Sequence, residues 1–301
     1  MALDFKARVA IVTGAGGGLG RQHALALAAR GARVVVNDLG GALDGSGGSV
    51  SAAQAVVDEI RARGGEAIAN GASVTDFDAV QKMVQQALDT WGRVDVVVSN
   101  AGILRDKTFA KMDLADFRQV LDVHLMGAVH LCKAVWPHMI AQKYGRIVLT
   151  TSSSGLYGNF GQTNYGAAKL ALVGLMQTLA LEGAKHDIRV NCLAPTATTR
   201  MTQDLFPPDM LQAFGPEAVV PAMLVMASQD APTRTTLCAG AGAFEAANIT
   251  LTQGVYVGTG PDADEELAAQ LPQVLDRAGE MVPGSGNGQG ENELRLARAG
   301  R

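Results

Sequence analysis

An apolar run, a glycine-rich turn and a helix-forming segment open this chain, and they constrain its fold more than anything that follows. Ala7 to Thr13 reads as a short buried strand. The turn Thr13-Gly-Ala-Gly-Gly-Gly-Leu-Gly20 comes next, and then the segment Arg21 to Arg30, which favours a helix. Strand, glycine turn and helix in that order form the arrangement that cradles a dinucleotide. Gly14 permits the tight turn, and Gly18 lets the backbone approach a pyrophosphate. Gly20 lets the helix pack close on the strand, with Leu19 beside it in the same turn. The free N–H groups at the start of the helix then face the phosphates.

The second strand, Arg33 to Asn37, ends at Asp38, eighteen residues past Gly20. An acidic residue there accepts hydrogen bonds from the adenosine ribose hydroxyls and repels a 2′-phosphate, which selects NAD over NADP. Aspartate also starts turns and caps helices, so a purely structural role stays open. The loop Leu39-Gly-Gly-Ala-Leu-Asp-Gly-Ser-Gly-Gly-Ser49 is longer than the usual strand–helix connection.

Strand and helix then alternate. A helix is predicted over 50–63, a strand over 66–70 and a helix over 77–90. Ser73 and Val74 stand at the exit of the third strand, where an adenine ring would lie. A strand over 94–99 ends in Asn100-Ala101-Gly102, small enough for the cofactor's central ribose to pass. A long helix is expected over 113–140. A fifth strand from Arg146 delivers Ser152, and a sixth over 188–193 delivers Pro195-Thr-Ala-Thr-Thr199. This beat predicts an α/β fold: a doubly wound parallel sheet in one Rossmann-like domain. Ligands in such sheets bind beyond the carboxyl ends of the strands, where the residues singled out all fall.

Tyr165 and Lys169 are four apart in an apolar segment that runs on to about Leu181, so they share one helical face. A free tyrosine titrates near pH ~10, and a neighbouring cation favours the phenolate. That makes Tyr165 a candidate general acid/base. Ser152, at a strand end, is placed to hydrogen-bond the oxygen that Tyr165 protonates.

Composition narrows the rest. The 301 residues, 48% of them hydrophobic, suffice for one enlarged domain with a real core. A net charge of −4 gives no electrostatic case for nucleic acid. Cys132, Cys192 and Cys238 have neither metal-ligand spacing nor a paired framework. No metal is expected, and free thiols suit a reducing, cytoplasmic setting. The opening Met-Ala-Leu-Asp-Phe-Lys does not read as a signal peptide, and no unbroken apolar run suggests a membrane span.

Thr13-Gly-x-x-x-Gly-x-Gly20, Asn100-Ala-Gly102, Ser152, Tyr165-x-x-x-Lys169 and Pro195 together resemble the short-chain dehydrogenase/reductase family, in the family's order, across roughly residues 5–255. The resemblance implies that Ser152 holds the carbonyl or hydroxyl oxygen and Tyr165 exchanges its proton. It implies that Lys169 lowers the tyrosine's pKa and binds the nicotinamide ribose. Gly14, Gly18, Leu19, Gly20, Asp38, Ser73, Val74, Asn100, Ala101, Gly102, Tyr165, Lys169, Pro195 and Thr199 are the expected cofactor contacts, with NAD as cofactor. One position departs: His124 stands where the family usually has asparagine in the middle of its fourth helix. A water-mediated proton relay and a merely packed side chain are both open for it.

Further runs narrow the resemblance. They are Asn37-Asp-Leu-Gly-Gly41, Gly102-Ile-Leu-Arg-Asp106, Val123-His-Leu125, Lys143-Tyr-Gly-Arg146, Tyr157-Gly-Asn-Phe-Gly-Gln162 and Arg200-Met-Thr202. They are similar to the (3R)-hydroxyacyl-CoA dehydrogenase domain of D-specific multifunctional β-oxidation enzymes. That likeness implies NAD-linked oxidation of a 3-hydroxyacyl-CoA, with 17β-hydroxysteroids as rival substrates. It also implies a homodimer or homotetramer. A 3-ketoacyl reductase is disfavoured by Asp38, and a non-catalytic NAD-binding scaffold by the presence of both Tyr165 and Lys169. The apolar segment Met201–Phe214 suits a lid over an acyl chain or sterol, or an ordinary packed helix pair. Arg105, Lys107 and Lys111 are either CoA-phosphate contacts or a solvated charged surface. Toward the end, 243–246 and 250–257 look like strands and 264–277 like a helix. The dehydrogenase domain is expected to span 1–278, with a flexible glycine-rich tail over 279–301.

Overall fold

The computed structural model describes residues 3–41, 47, 49–198, 211 and 213–300. The chain divides into two units, Met1–Ala247 and Asn248–Arg301. The first unit opens with β1 (Val9–Thr13), α1 (Gly18–Ala28), β2 (Arg33–Asn37), α2 (Ser51–Ala62), β3 (Glu66–Asn70) and α3 (Phe77–Trp91). It continues with β4 (Val96–Ser99), α4 (Leu114–Leu121), a π-helical turn (Asp122–Met126), α5 (Gly127–Gln142) and β5 (Gly145–Thr150). Then come α6 (Ser153–Tyr157), α7 (Thr163–Gly183), β6 (Ile188–Pro195), α8 (Val220–Ala227), β7 (Thr236–Gly240) and β8 (Ala243–Ala247).

The strands form one sheet in the order β3-β2-β1-β4-β5-β6-β7-β8. Pairing is parallel from β3 to β7, and β8 returns antiparallel to β7. The central strands are largely apolar because both of their faces are covered. Ala10, Val12, Val34, Val36, Val96 and Val98 join one core with Leu25, Val56 and Met223. The alternate residues Val9, Ile11, Val35 and Val97 join the other with Val84, Leu131 and Met176. Period-two alternation between two buried faces leaves no polar stripe. Each such Val or Ile contributes about 1.5–3 kcal/mol relative to exposure. Successive connections run to opposite sides of β1, so the order reverses between β1 and β4 and opens a crevice at their carboxyl ends.

The opposite edge of the sheet is held by charge. Arg146 is fully buried in β5 and donates to the backbone carbonyls of Gly145, Asp187, Ser228 and Gln229 and to the Asp187 carboxylate. The Tyr144 ring lies between the guanidinium groups of Arg8 and Arg146, 3.7 and 4.1 Å from its centroid. Buried Asp95 accepts from Arg8, Arg93 and the Val9 N–H. Every buried charge here is paired or hydrogen-bonded, which offsets the cost of taking it out of water.

The structure departs from the sequence expectations at several elements. The helix expected over 113–140 is interrupted by the π-helical turn. β7 was not foreseen, since Thr-Leu-Cys-Ala-Gly has small residues and no clear alternation, and its pairing with β6 and β8 supplies what propensity lacks. Residues 250–257 form no strand: only Leu251 pairs, in an isolated bridge to Met281, and Gly254 takes a left-handed φ of +73°. The chain divides after β8, earlier than the expected boundary, because Ala247 is the last residue paired into the sheet. The second unit contains α9 (Ala263–Val274) and α10 (Asn287–Ala299), so the glycine-rich stretch runs into a helix. There Gln289 donates to Glu293 and Arg295 to Asn292, pairs one turn apart that favour helix.

The segment Thr163–His186 is long and apolar enough to cross a bilayer by length and composition. In the fold it packs on the sheet, with Leu172, Val173 and Met176 in the core.

His23, in α1, is fully buried, and among the described residues neither ring nitrogen has a hydrogen-bond partner. Burial lowers its pKa from 6.5 to about 4. The unfolded chain therefore takes up a proton between those values that the folded chain refuses, and the stability present above pH 6.5 is lost as the pH falls toward 4. Between pH 7 and pH 5 this one group accounts for about 2 kcal/mol. Urea unfolding should show His23→Leu losing about 2 kcal/mol less than the parent over that interval. An equal loss in both would assign the acid sensitivity to another group.

Candidate active site

At the crevice, the ends of β1 and β4 are stitched together. The Thr13 hydroxyl accepts the N–H groups of Asn100 (3.0 Å) and Ala101 (3.1 Å). The Asn100 amide donates back to the carbonyls of Thr13 and Gly14, both at 3.1 Å. Gly14 takes a left-handed φ of +64°, as a tight turn requires. A Cβ on Gly20 would lie 2.2 Å from the Gly14 carbonyl oxygen, so α1 starts against the strand end only because that side chain is missing.

A cavity of about 880 Å³ runs along this edge. Gly14, Gly18, Leu19 and Asp38 line one end with Ser73 and Val74, and Ser152, Tyr165, Lys169 and His124 line the other. Asn100, Ala101, Gly102 and Pro195 lie along it as well. Gly20 does not line it; its role is the close packing just described. Thr199 and residues 201–210 lie outside the described residues, so the expected Met201–Phe214 lid has no structural account beyond its end, where Thr198 donates its N–H to the Phe214 carbonyl (2.6 Å).

The glycine-turn end fits an adenine dinucleotide. Open space surrounds the position where Gly17 would carry a side chain, and α1 presents its unpaired N–H groups there. The Asp38 carboxylate accepts the N–H of Gly16 through Oδ2 and that of Gly40 through Oδ1, each at 2.7 Å. A carboxylate has about four acceptor sites, so one on each oxygen remains for a ribose hydroxyl. The N–H bonds aim the Asp38 carboxylate, and its lining position exposes it to the cavity.

At the other end, Ser152 caps α6, its Oγ accepting the Ser154 N–H at 3.2 Å, and its hydroxyl acts on the Tyr165 phenol to lower its pKa. Tyr165 and Lys169 project from α7, with Lys169 Nζ 5.4 Å from the tyrosine ring centroid. The lysine is 3% exposed and donates to the Thr150 carbonyl at 2.6 Å. Burial lowers its pKa to about 7. Burial also dominates Tyr165 and raises its pKa; the Ser152 hydrogen bond opposes, and the Asp106 charge adds to the rise. The depression expected from Lys169 is not what the phenol shows, because a lysine that titrates near 7 carries no charge at the higher pH where the phenol ionises. Tyr165 is therefore a neutral phenol at pH 7, poised to donate a proton.

His124 sits inside the π-helical turn, whose extra residue turns it toward the cavity. Its Nε2 faces both the N–H (3.1 Å) and the carbonyl (2.8 Å) of Ile103. Its ring meets Tyr165 edge-on, 5.1 Å between centroids at 89°. Burial and the Lys169 charge hold it well below its ordinary pKa, so it is neutral. Its Nδ1 and the Thr150 hydroxyl are buried polar atoms without a hydrogen-bond partner among the described residues. His124 thus packs against the tyrosine and leaves a polar atom free beside the site.

Arg105 and Lys107 pair with Asp116, at 2.5 and 3.3 Å. Sequence reading did not find Thr150, Asn159 or Gln162 as lining residues. Only the motif Tyr157-Gly-Asn-Phe-Gly-Gln162 marked the stretch that carries the last two.

The short chain dehydrogenase family model matches residues 8–209. The chain belongs to the short-chain dehydrogenase family. Within that family it is 50% identical over 278 residues to a putative short-chain dehydrogenase/reductase of Mycobacterium tuberculosis, covering 92% of this chain and 97% of the relative. It is 54% identical over 222 residues to peroxisomal multifunctional enzyme type 2 of Mus musculus, covering 74% of this chain but only 30% of that protein. The solved structure of the full-length enzyme of the same name from Drosophila melanogaster superposes with a TM-score of 0.82 at 33% identity, over 99% of this chain and 50% of that one. The chain therefore spans under a third of the mouse enzyme and half of the fly one. As a short-chain dehydrogenase it is an oxidoreductase.

Gly102 is the tightest point around His124: a Cβ there would lie 2.3 Å from His124 Cε1. Gly102→Ala should cost about 1–3 kcal/mol of stability by overpacking. In a double-mutant cycle with His124→Ala, most of that cost should vanish, a coupling of about 1 kcal/mol or more. Additive costs would show that the clash is relieved elsewhere.

Proposed function

We propose that this chain is an NAD-dependent dehydrogenase that interconverts a (3R)-hydroxyacyl-CoA and the 3-ketoacyl-CoA, a step of fatty-acid or sterol side-chain β-oxidation. One observation carries the reading: a single cavity holds the Asp38 carboxylate at one end and the Ser152–Tyr165 pair at the other. The carboxylate suits a free ribose 2′-hydroxyl and repels a 2′-phosphate, which supports NAD. Likeness to the peroxisomal multifunctional enzymes supports the acyl-CoA substrate.

NAD, when bound, supplies the acceptor for the hydride that leaves C3 of the alcohol. The protein does the rest. Ser152 Oγ holds the C3 oxygen, and Tyr165 Oη gives its proton to that oxygen in reduction; in oxidation the phenol first releases its proton to solvent, and the phenolate then takes the hydroxyl proton. Lys169, titrating near neutral pH within 5.4 Å of the ring centroid, supplies a positive charge that favours the phenolate when protonated. Lys169 and His124 are themselves buried, which lowers the effective dielectric around them. Leu170 and Leu181 on α7 are exposed apolar side chains, which supports the expected homo-oligomer.

The test compares kcat/KM for NAD reduction with a (3R)-hydroxyacyl-CoA and with a 17β-hydroxysteroid. The acyl-CoA should win clearly; a preference for the steroid would make this a hydroxysteroid dehydrogenase. In the same assay Tyr165→Phe should lose about 10²–10⁴-fold in kcat while NAD still binds in a fluorescence titration. Undiminished turnover would remove Tyr165 from the mechanism.

Asp38→Ala should lower the preference for NAD over NADP by about tenfold, the effect of roughly 1.4 kcal/mol at the ribose. A preference ratio that does not move would leave Asp38 with only its two backbone bonds.

A further inference from the structure

We propose that His130 reads the purine of the cofactor, its Nε2 accepting a hydrogen bond from the 6-amino group of adenine. The inference rests on the reading of the cavity as an adenine-dinucleotide site and adds to it a residue that tells adenine from other purines.

His130 lies on α5, apart from the glycine turn and from Ser152, Tyr165 and Lys169, yet it lines the same cavity. Its place follows from the sheet. The parallel order β3-β2-β1 puts the exit of β3 next to Asp38 at the end of β2. Beyond a ribose held at Asp38, the base then faces Ser73, Val74 and Thr75, which line the cavity there. α5 packs close on that exit: a Cβ on Gly127, one turn before His130, would lie 2.7 Å from Val74 Cγ2.

The imidazole is held twice. Its Nδ1 lies 2.9 Å from the Val74 carbonyl oxygen, and its ring packs against Phe77 on α3, 5.5 Å between centroids at 46°. A carbonyl only accepts, so Nδ1 carries the proton, and in a neutral imidazole the other nitrogen is then an acceptor. Among the described residues that Nε2 has no hydrogen-bond partner, and it is not shut in as both nitrogens of His23 are.

The nearby hydroxyls of Ser73 and Thr75 pair with each other at 2.8 Å, and their protons rotate, so they can meet a donor or an acceptor alike. His130 lacks that freedom. An acceptor of fixed direction on a cavity wall calls for a ligand N–H. Adenine offers one in its 6-amino group. Hypoxanthine carries an oxo group on the same carbon and would set one lone pair against another. The hydride and proton transfers make no use of His130.

The experiment compares NADH with its deaminated analogue, reduced nicotinamide hypoxanthine dinucleotide, in fluorescence titrations of the purified protein without substrate. The two share the nicotinamide, riboses and pyrophosphate and differ in the purine. The titrations are run at about pH 8, where a free imidazole is neutral. The parent protein should bind NADH about tenfold more tightly, the worth of one well-placed hydrogen bond. His130→Phe, which keeps a ring against Phe77 and removes the acceptor, should bring the ratio of the two Kd values to near unity. A second readout serves if that variant does not fold. In protein labelled with ¹⁵N-histidine, the Nε2 resonance of His130 should shift when NADH binds and stay in place when the analogue binds. Equal Kd values in the parent overturn the inference and leave the dinucleotide site intact. So does a preference that survives in His130→Phe, or an Nε2 that carries the proton in the NADH complex. Binding of neither compound sinks the dinucleotide reading, and the inference falls with it.

Discussion

The hydrogen bonds between Thr13 and Asn100 are what the rest of the site depends on. They close the carboxyl ends of β1 and β4 where the sheet order reverses, the one place in a doubly wound sheet where a crevice must open. Hold those ends together and α1 is forced to begin directly against β1, which only Gly20 permits. The helix start, the Asp38 carboxylate at the end of β2 and the small residues of Asn100-Ala101-Gly102 then fall along one cavity. Buried charge networks around Arg146 and Asp95 lock the other edge of the sheet, so the crevice end is free to be shaped for ligand.

Desolvation sets the electrostatics of this site more than pairing does. Lys169 and His124 are buried and Tyr165 is partly buried, and in each the leading effect favours the neutral form. Neutral phenol, neutral imidazole and a lysine close to half-charged at pH 7 make a site in which one proton moves at little cost. Charge is kept at its margins, on Asp106 near the tyrosine and on Asp38 at the far end. Such a layout suits a reaction whose net result is one hydride and one proton.

The π-helical turn shows how one residue is accommodated. His124 is larger than the asparagine that the resemblance leads one to expect, and the extra residue in the turn, together with the bare Gly102, gives the ring its room. The interruption of the expected 113–140 helix is thus a feature of the site, in line with the tendency of π-turns to occur where function needs them.

By itself the sequence determined the strand–helix beat, the glycine turn and the Ser152, Tyr165 and Lys169 constellation. These are local patterns: apolar runs bounded by glycine, and a four-residue spacing on one helix. The bounds of β2 and β3 follow from such runs alone. Only the tertiary structure decided the rest, because it depends on which distant segments meet. β7 exists because β6 and β8 flank it, while residues 250–257 are not a strand because almost nothing pairs with them. The upward shift of Tyr165 comes from burial, which no spacing reveals. The bond between His130 and the Val74 carbonyl joins residues 56 apart in sequence, and its meaning appears only once both line one cavity.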